Sequence, residues 1–239
     1  MARSIYIASP NAGTGKSTVA LGLVSCLTKV VAKVGVFRPF VESREGDAFL
    51  TLLLNRAGST TPAEQCVGAT WDEFHADPEE ALARIVDAYR ALAREHDVVI
   101  IDGSDFTDVA GNPELALNAR VAANIGVPVL LVVSGQHDVE DVVASVEVSM
   151  AEIADNHART VAVVANKCLP ETRQAVGEAL SAIEGITSTT LPEVPLLAAP
   201  VVREVLDAVE GTLIAGDETL LDREAESVLV CAMDVSHVL

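Results

Sequence analysis

A glycine-bearing loop near the amino terminus carries the residues best suited to chemistry. Residues 9–18 read Ser-Pro-Asn-Ala-Gly-Thr-Gly-Lys-Ser-Thr and directly follow the apolar run 5–8. A strand, a glycine-containing loop and a helix in this order are typical of a phosphate-binding loop, in which backbone N–H groups turn inward around an anion. One position departs from the usual G-x-x-x-x-G-K-[S/T] pattern, because Pro10 stands where the first glycine belongs.

The side chains of this loop have separate expected roles toward a nucleotide. The Lys16 ammonium is expected to reach the β- and γ-phosphates, and the Ser17 hydroxyl is expected to hold Mg²⁺. The predicted cofactors are therefore ATP, or a related nucleotide, and Mg²⁺. The alternative is a tight turn between a strand and a helix, with a solvated lysine. The loop residues predicted to bind the nucleotide are Gly13, Thr14, Gly15, Lys16, Ser17 and Thr18.

An acid follows the apolar run 98–101, in the pattern of a Walker B strand. This acid, Asp102, is predicted to lie beside Ser17 and to contact Mg²⁺ directly or through water. The alternative is an acid that caps the following loop. Asp105 and Asp108 lie just beyond it, and turn formation explains them equally well.

Two charged residues follow the second apolar run, 34–37. Arg38 is predicted either to bind a phosphate or carboxylate group of a ligand or to form a surface salt bridge. Asp47 is predicted either as a second acid on the metal side or as the N-cap of the helix that begins there. On the sequence alone, both pairs of alternatives stay open.

Asn166 and Lys167 follow the fifth apolar run, 161–165. In phosphate-loop proteins this edge of the sheet is where the base is recognised. An asparagine can pair with an adenine edge and a lysine can lie over its face, so both residues are predicted to bind the nucleotide. The alternative for Asn166 is a helix or turn cap. Leu169 stands where a guanine-specific pattern has an acid, so GTP is not favoured.

Composition limits the classes of function. The 239-residue chain has 35 acidic and 16 basic residues, for a formal charge of −19. Because nucleic-acid affinity comes largely from neutralising phosphates, this charge argues against a nucleic-acid partner. The four cysteines and five histidines are scattered, which argues against a zinc site and indicates a reducing compartment. No run reaches the roughly 18 apolar residues of a membrane span, so a cytoplasmic protein with no membrane partner is predicted.

Short apolar runs alternate with helical patterns along the chain. The runs are largely β-branched and continuous, which is typical of strands buried on both faces of a parallel sheet. Their alternation with helices predicts an α/β fold, a doubly wound and mostly parallel sheet with helices on both faces, of the P-loop NTPase kind. The predicted strands are 5–8, 34–37, 98–101, 127–133, 161–165 and 188–191, and the predicted helices are 16–30, 47–57, 78–95, 113–125, 139–157, 171–184 and 200–209.

The end of the chain has a different pattern. Residues 1–210 are predicted to form the nucleotide-binding domain. Residues 211–217 are interpreted as a short strand and turn, residues 227–233 as another strand, and the chain ends on Val238 and Leu239. This pattern predicts that residues 211–239 begin a second domain that is cut off. The alternative is an ordinary hairpin packed on the first domain.

Several separated segments carry a resemblance to a known family. They are 2–18, Val-Gly-Val-Phe-Arg-Pro at 34–39, Phe-His-Ala-Asp-Pro at 74–78, 118–124, and Leu-Leu-Asp-Arg-Glu at 220–224 with the terminal Val238-Leu239. The first four resemble the N-terminal part of the long, multidomain phosphate acetyltransferases of bacteria, and 220–224 with Val238-Leu239 resembles the first part of the middle domain of those enzymes. The resemblance covers essentially the whole chain. The N-terminal part of these enzymes is itself similar to dethiobiotin synthetase, an ATP-dependent phosphate-loop enzyme.

The resemblance implies a division of labour in the full enzyme. Acetyl transfer between coenzyme A and phosphate, giving acetyl phosphate, would belong to a C-terminal catalytic domain absent from this chain. The N-terminal part would be regulatory and structural, responding to a nucleotide or small-metabolite effector and supporting a homo-oligomer. The similarity to dethiobiotin synthetase implies Mg²⁺-side roles for Ser17, Asp47 and Asp102, with Lys16 on the phosphates, Arg38 in the place of a substrate-side lysine and Asn166 at the adenine.

Three functions compete on this basis. The favoured one is a nucleotide-binding regulatory domain that does not transfer acetyl by itself. The alternative is a stand-alone ATP-dependent ligase of the dethiobiotin synthetase type, which requires a substrate pocket near Arg38 and Asp47. A partition-type dimerising ATPase is disfavoured, because those proteins carry an extra lysine early in the loop, where this chain has Asn11.

Overall fold

The computed structural model describes residues 3–104 and 114–225. The chain divides into two compact units, Met1–Pro192 and Glu193–Leu239. This division falls earlier than the predicted boundary between residues 210 and 211, and a second domain at the end of the chain stays a prediction. The predicted strand at 227–233 lies outside the described residues, as do Asp105 and Asp108.

A parallel sheet of seven strands forms the centre of the first unit. The strands are β1 (Arg3–Ala8), β2 (Val34–Val41), β3 (Val67–Thr70), β4 (Val98–Asp102), β5 (Val129–Ser134), β6 (Thr160–Cys168) and β7 (Thr187–Pro192). Their order across the sheet is β3-β2-β4-β1-β5-β6-β7, and every pair is parallel. The order places β1 between β4 and β5, so the loop after β1 lies at the middle of the sheet's carboxyl edge.

Helices connect the strands and lie on both faces of the sheet. In the first unit they are α1 (Lys16–Leu27), α2 (Ala48–Ala57), α3 (Trp71–Ala76), α4 (Pro78–Glu95), α5 (Glu114–Ile125), α6 (Val139–Asp155) and α7 (Arg173–Ser181). Helices α1 and α2 contact each other, whereas α3 to α7 form a second row in which each helix contacts the next. The predicted doubly wound α/β fold is confirmed.

Burial explains why the central strands could be recognised in the sequence. Ile100 and Ile101 in β4, and Leu131 and Val132 in β5, have no exposed surface. Consecutive side chains of a strand point to opposite faces, so both faces of these strands are covered and both must be apolar. Helix α4 has the predicted bounds, because Pro78 lies in its first turn and the Asp77 carboxylate caps the Glu80 N–H at 3.1 Å.

The edge strand β3 and the short helix α3 were not predicted. Gly68 in β3 lies so close to its neighbours that a Cβ would be 2.5 Å from the Pro39 carbonyl oxygen and 2.6 Å from Ile85 Cγ1. Thr70 then caps α3, because its hydroxyl accepts from the Glu73 N–H at 3.2 Å and the Glu73 carboxylate accepts from the Thr70 N–H at 2.9 Å. That backbone hydrogen bond, with a contribution from Arg44, lowers the pKa of Glu73.

The second unit has little regular structure among its described residues. It contains α8 (Val202–Ala208), two short 3-10 turns at Pro195–Ala198 and Glu218–Asp222, and an antiparallel bridge between Val201 and Glu224. The predicted strand at 211–217 is wrong, because these residues pair with no described strand and Ile214 is 98% exposed. In neither unit is a described helix both long enough and apolar enough to cross a membrane.

The substitution Gly103→Ala is expected to destabilise the first unit. A Cβ at Gly103, directly after β4, would lie 2.6 Å from Asn118 Oδ1 and 2.7 Å from the Ile7 carbonyl oxygen, so the core must shift at a cost of about 1–3 kcal/mol. The matched control is Gly22→Ala in α1, where no atom lies within 4 Å of the new Cβ and a gain of about 0.5–1 kcal/mol is expected. Urea unfolding measures both changes, and similar values for the two variants would contradict this packing.

Candidate functional site

The loop between β1 and α1 has the backbone shape that an anion site needs. Gly13 and Gly15 have φ angles of 76° and 80°, in the left-handed region that glycine adopts without strain. Gly15 is the N-cap of α1, no side chain caps this helix, and its first turn holds no acid. The first N–H groups of α1 are therefore left without a side-chain acceptor, and the helix dipole favours an anion beside them.

Lys16 and Asp102 meet in the interior. The Lys16 ammonium is 1% exposed and donates to Asp102 Oδ1 at 2.7 Å and to the Gly103 carbonyl oxygen at 2.5 Å. The pairing of β1 with β4 sets this contact, because it aligns Ile7 with Asp102 and so brings the end of β4 beside the loop. The two residues that the motifs single out thus form one buried ion pair.

Arg38 extends this pair into a row of alternating charges. Its Nε lies 3.4 Å from Asp102 Oδ2, its Nη1 pairs with Asp47, and its guanidinium carbon lies 5.8 Å from the centre of the Phe49 ring. The order Lys16, Asp102, Arg38, Asp47 alternates in sign, so each inner charge is compensated on both sides. Arg38 is only 19% exposed, and it is therefore a partly buried member of this row.

Asp47 uses both carboxylate oxygens within the protein. Oδ1 accepts from the Leu50 N–H at 2.8 Å, which makes Asp47 the N-cap of α2, and Oδ2 accepts from Arg38. Of the two alternatives for this residue, the structure has the helix cap. A contact between Asp47 and Mg²⁺ stays a prediction, and it would have to replace one of these partners.

Buried oxygen atoms near the loop fit a hard cation and a phosphate. In the described ranges, Thr14 Oγ1, Asp102 Oδ2 and Ser104 Oγ are buried without a hydrogen-bond partner. Ser17 is half-buried in the first turn of α1 and Thr18 is exposed. Mg²⁺ prefers oxygen ligands and usually takes only one or two from the protein, the others coming from phosphates and water. The described residues contain no group of three or more His, Cys, Asp or Glu side chains that could hold a metal ion.

Asn166 and Lys167 hold the loop from the other side. Asn166 Nδ2 donates to the Thr14 carbonyl oxygen at 2.8 Å, and Lys167 Nζ donates to the Gly13 carbonyl oxygen at 2.8 Å. Lys167 has a φ of 59°, at an irregularity in the pairing of β6 with β7 that turns the end of β6 toward the loop. These contacts with the loop backbone were not among the predicted roles of the two residues. Their contact with an adenine base stays a prediction.

A buried polar network that the sequence analysis missed supports this edge of the sheet. Tyr6 donates to Asn118 Oδ1 at 2.6 Å, and the Ser104 N–H donates to the same oxygen at 3.0 Å. Burial, followed by the charges of Asp102 and Glu114, raises the pKa of Tyr6 well above its usual value. The phenol therefore stays a neutral donor. The sequence offers one signal for the buried residue, an asparagine among the largely apolar residues of α5, but no signal for its partner Tyr6.

A cavity of about 320 Å³ adjoins the row of charges. Its walls include Arg38, Phe40, Glu42, Asp47 and Ser104. A small polar molecule would fit there beside Arg38, Asp47 and Ser104. Of the residues predicted for the phosphate and metal side, the structure joins Lys16, Asp102, Arg38 and Asp47 in one row, with Ser104 in the adjoining cavity wall. Contacts of Ser17 and Thr18 with a ligand stay predictions.

The substitution Gly15→Ala is expected to be more damaging than Gly13→Ala. Both glycines have positive φ, so alanine at either position introduces left-handed strain of about 1–2 kcal/mol. Only at Gly15 would the new Cβ also collide with Asn166 Nδ2, because the position at Gly13 is open. Displacing the Asn166 amide should cost about 1 kcal/mol more through its lost hydrogen bond.

The substitution Asn166→Ala separates the left-handed strain at Gly15 from the collision with the Asn166 amide. In the Asn166→Ala background, Gly15→Ala should cost the same as Gly13→Ala, as measured by urea unfolding of the matched single and double variants. An excess cost at Gly15 that persists without the Asn166 amide would contradict this contact.

The chain is similar in sequence to two bacterial phosphate acetyltransferases. The phosphate acetyltransferase of Synechocystis sp. is 24% identical over 251 residues, covering 100% of this chain and 36% of that enzyme. The enzyme of Nitratidesulfovibrio vulgaris is 25% identical over 255 residues, again with 100% and 36% coverage. The chain thus spans about a third of the length of these relatives.

Solved structures share the fold. A plasmid partition protein of Borrelia burgdorferi bound to AMPPNP matches with a TM-score of 0.56 and 15% identity, covering 81% of this chain and 86% of that one. The septum site-determining protein MinD of Pyrococcus horikoshii, complexed with Mg-ADP, matches with a TM-score of 0.51 and 21% identity, with 83% and 84% coverage. At these identities the matches show the fold alone. Residues 3–205 match the family described as AAA domain, AAA_26, and the chain belongs to that family.

Proposed function

We propose that this chain is a nucleotide-binding regulatory domain that corresponds to the N-terminal part of a phosphate acetyltransferase. The observation that carries the proposal is the buried Lys16–Asp102 pair beside the uncapped N-terminus of α1. A buried ion pair of this kind adds little net stability compared with apolar residues, so its presence in the interior favours a role beyond folding. The two fold matches described above both have a bound nucleotide, which supports nucleotide binding by this chain.

Each loop residue has a defined task in this proposal. The N–H groups of the first turn of α1 bind the phosphates, and Lys16 exchanges its bond to Asp102 for bonds to phosphate oxygens. Asp102, with Ser17, then faces the cation. Bound Mg²⁺ would neutralise the charge of the phosphate oxygens. Asn166 and Lys167, which already hold the loop backbone, fix its shape while the nucleotide binds.

Regulation follows if the nucleotide binds one conformation or assembly more tightly than another. The row of charges offers a route, because Lys16 shares Asp102 with Arg38, and Arg38 shares Asp47 with the start of α2. When Lys16 moves away from Asp102, the balance of charge around the Arg38 guanidinium changes. Such a difference in affinity between states is what allosteric control requires. Acetyl transfer would involve the part of the relatives that lies outside the matched third, whereas this domain would support a homo-oligomer of the longer enzyme.

The second candidate is an ATP-dependent ligase of the dethiobiotin synthetase type. The cavity of about 320 Å³ beside Arg38 and Ser104 favours it, because a substrate could lie there next to the phosphates. Arg38 counts against it. Its guanidinium already pairs with two carboxylates, Asp47 and Asp102, so it is less available to a substrate than a lysine in its place would be.

Calorimetric titration of Mg-ATP into the chain tests the proposal. Saturable binding is expected for the wild type, with an affinity at least about tenfold lower in Lys16→Ala, which corresponds to about 1.4 kcal/mol. Lys29→Ala, which removes an exposed lysine just after α1, is the matched control and should bind like the wild type.

Because Lys16→Ala leaves the buried Asp102 without its cation, circular dichroism must first show that the variant is folded. The variant Asp102→Asn provides a second test and should weaken binding in the presence of Mg²⁺ more than in its absence. The proposal would be refuted if the wild-type chain does not bind Mg-ATP. It would also be refuted if Lys16→Ala and Asp102→Asn each bind Mg-ATP as tightly as the wild type. Turnover of ATP only when a small acid or amine substrate is added would favour the ligase.

A further inference from the structure

A groove at the opposite edge of the sheet from the phosphate loop remains without a role. Its volume is about 1110 Å³, and it lies where β1 and β4 begin, between the end of α4 and the connection from α5 to β5. We call it the amino-edge groove. Because β1 has six residues, the groove and the loop are about 20 Å apart. Its lining includes Arg3, Tyr89, Arg90, Arg94, His96 and Val127.

Three arginines line this groove, and among the described residues their guanidinium groups have no partner, in a chain with 35 acidic and 16 basic residues. Throughout residues 3–104 and 114–225, the guanidinium groups of Arg3, Arg90 and Arg94 form no hydrogen bond or ion pair. The arginines that do pair with carboxylates in the same ranges are Arg38, Arg44, Arg84, Arg120 and Arg203. Acids are thus abundant on the surface, but they do not neutralise this cluster.

The arrangement of these arginines is repulsive by itself. Arg90 and Arg94 are four residues apart in α4, so they lie on the same side of the helix one turn apart, where like charges destabilise each other. The acid in the groove lining is Asp97, and its Oδ2 accepts from the Lys33 N–H at 3.2 Å. A bound anion would compensate the excess positive charge.

The other residues of the groove wall are apolar, or their polar groups already form hydrogen bonds within the protein. Val31, Ile125, Val127 and Pro128 contribute aliphatic surface. The Tyr89 hydroxyl donates to Ser4 Oγ at 2.8 Å, so the ring presents its apolar body while its polar end is occupied. A ligand with an anionic end and an apolar or heteroaromatic body would therefore be complementary to both parts of the groove.

We propose that the amino-edge groove binds a phosphorylated small organic molecule at a second site, separate from the phosphate loop. The phosphate would lie against Arg90 and Arg94, with Arg3 opposite, because guanidinium groups bind phosphate oxygens in pairs of parallel hydrogen bonds. The organic part would lie on the aliphatic wall. The volume suits a small molecule of cofactor size, and the charge of −19 on the whole chain disfavours a nucleic acid.

Titration of inorganic pyrophosphate into the ¹⁵N-labelled wild-type chain tests this site, with amide chemical shifts as the readout. Pyrophosphate is expected to shift the amides of Ser4, His96 and Val127 in a saturable way. Any shifts at Gly13 and Gly15 report the phosphate loop separately, so failure at one site is distinguishable from failure at the other. ADP is expected to shift the same groove amides at a lower concentration, because its organic part adds contact with the aliphatic wall.

The double variant Arg90→Gln/Arg94→Gln should weaken pyrophosphate binding in the groove by at least about tenfold and leave the shifts in the loop unchanged. The matched control is Arg84→Gln, on the same helix, whose guanidinium already pairs with Glu73 and Glu80. It should leave both sets of shifts unchanged. The absence of saturable shifts in the groove, or equal groove affinity in the double variant and the wild type, would overturn the proposal.

Discussion

The buried pair of Lys16 and Asp102 is the interaction on which the site depends. Neither charge can remain alone in the interior, because an unpaired buried ion is far less stable than a solvated one. The pair therefore requires the loop after β1 and the end of β4 to lie side by side. The other parts follow from this constraint. The Arg38 guanidinium compensates the charge on the second carboxylate oxygen of Asp102, and the Asp47 carboxylate compensates Arg38. The N-cap hydrogen bond of Asp47 connects the start of α2 to the same row of charges.

The loop itself is positioned from both sides. Asn166 and Lys167 bind its carbonyl oxygens from the end of β6, while Lys16 anchors it toward β4. Carbonyl groups held in this way leave the N–H groups of the first turn of α1 directed toward a ligand. The departure at Pro10 is compatible with this arrangement, since the left-handed positions that the turn requires are Gly13 and Gly15, and both are glycines. The protein's own side chains thus hold the loop from both sides.

Most of the fold could be predicted from the sequence. Strands covered on both faces have continuous apolar runs, and α4 begins with residues that are typical of a helix start. The strand β3 was missed, since four residues that include a glycine give no such signal and are specified by close packing against Pro39 and Ile85. In the site, Lys16 and Asp102 were predictable because parallel strands bring their carboxyl ends to one edge. The double pairing of Arg38 and the Tyr6–Asn118 bond were not predictable, since they depend on side-chain directions that spacing along the chain does not determine.

The central claim is that Lys16 and Asp102 act as one unit, and a double-mutant cycle on unfolding free energies tests it most directly. The cycle compares the wild type, Lys16→Met, Asp102→Asn and the double variant in urea without nucleotide. The account predicts that each single substitution costs about 3–5 kcal/mol and that the double variant is less destabilised than the sum of the two, by more than about 1 kcal/mol. Additive costs would show that the two side chains contribute independently, and would contradict the account.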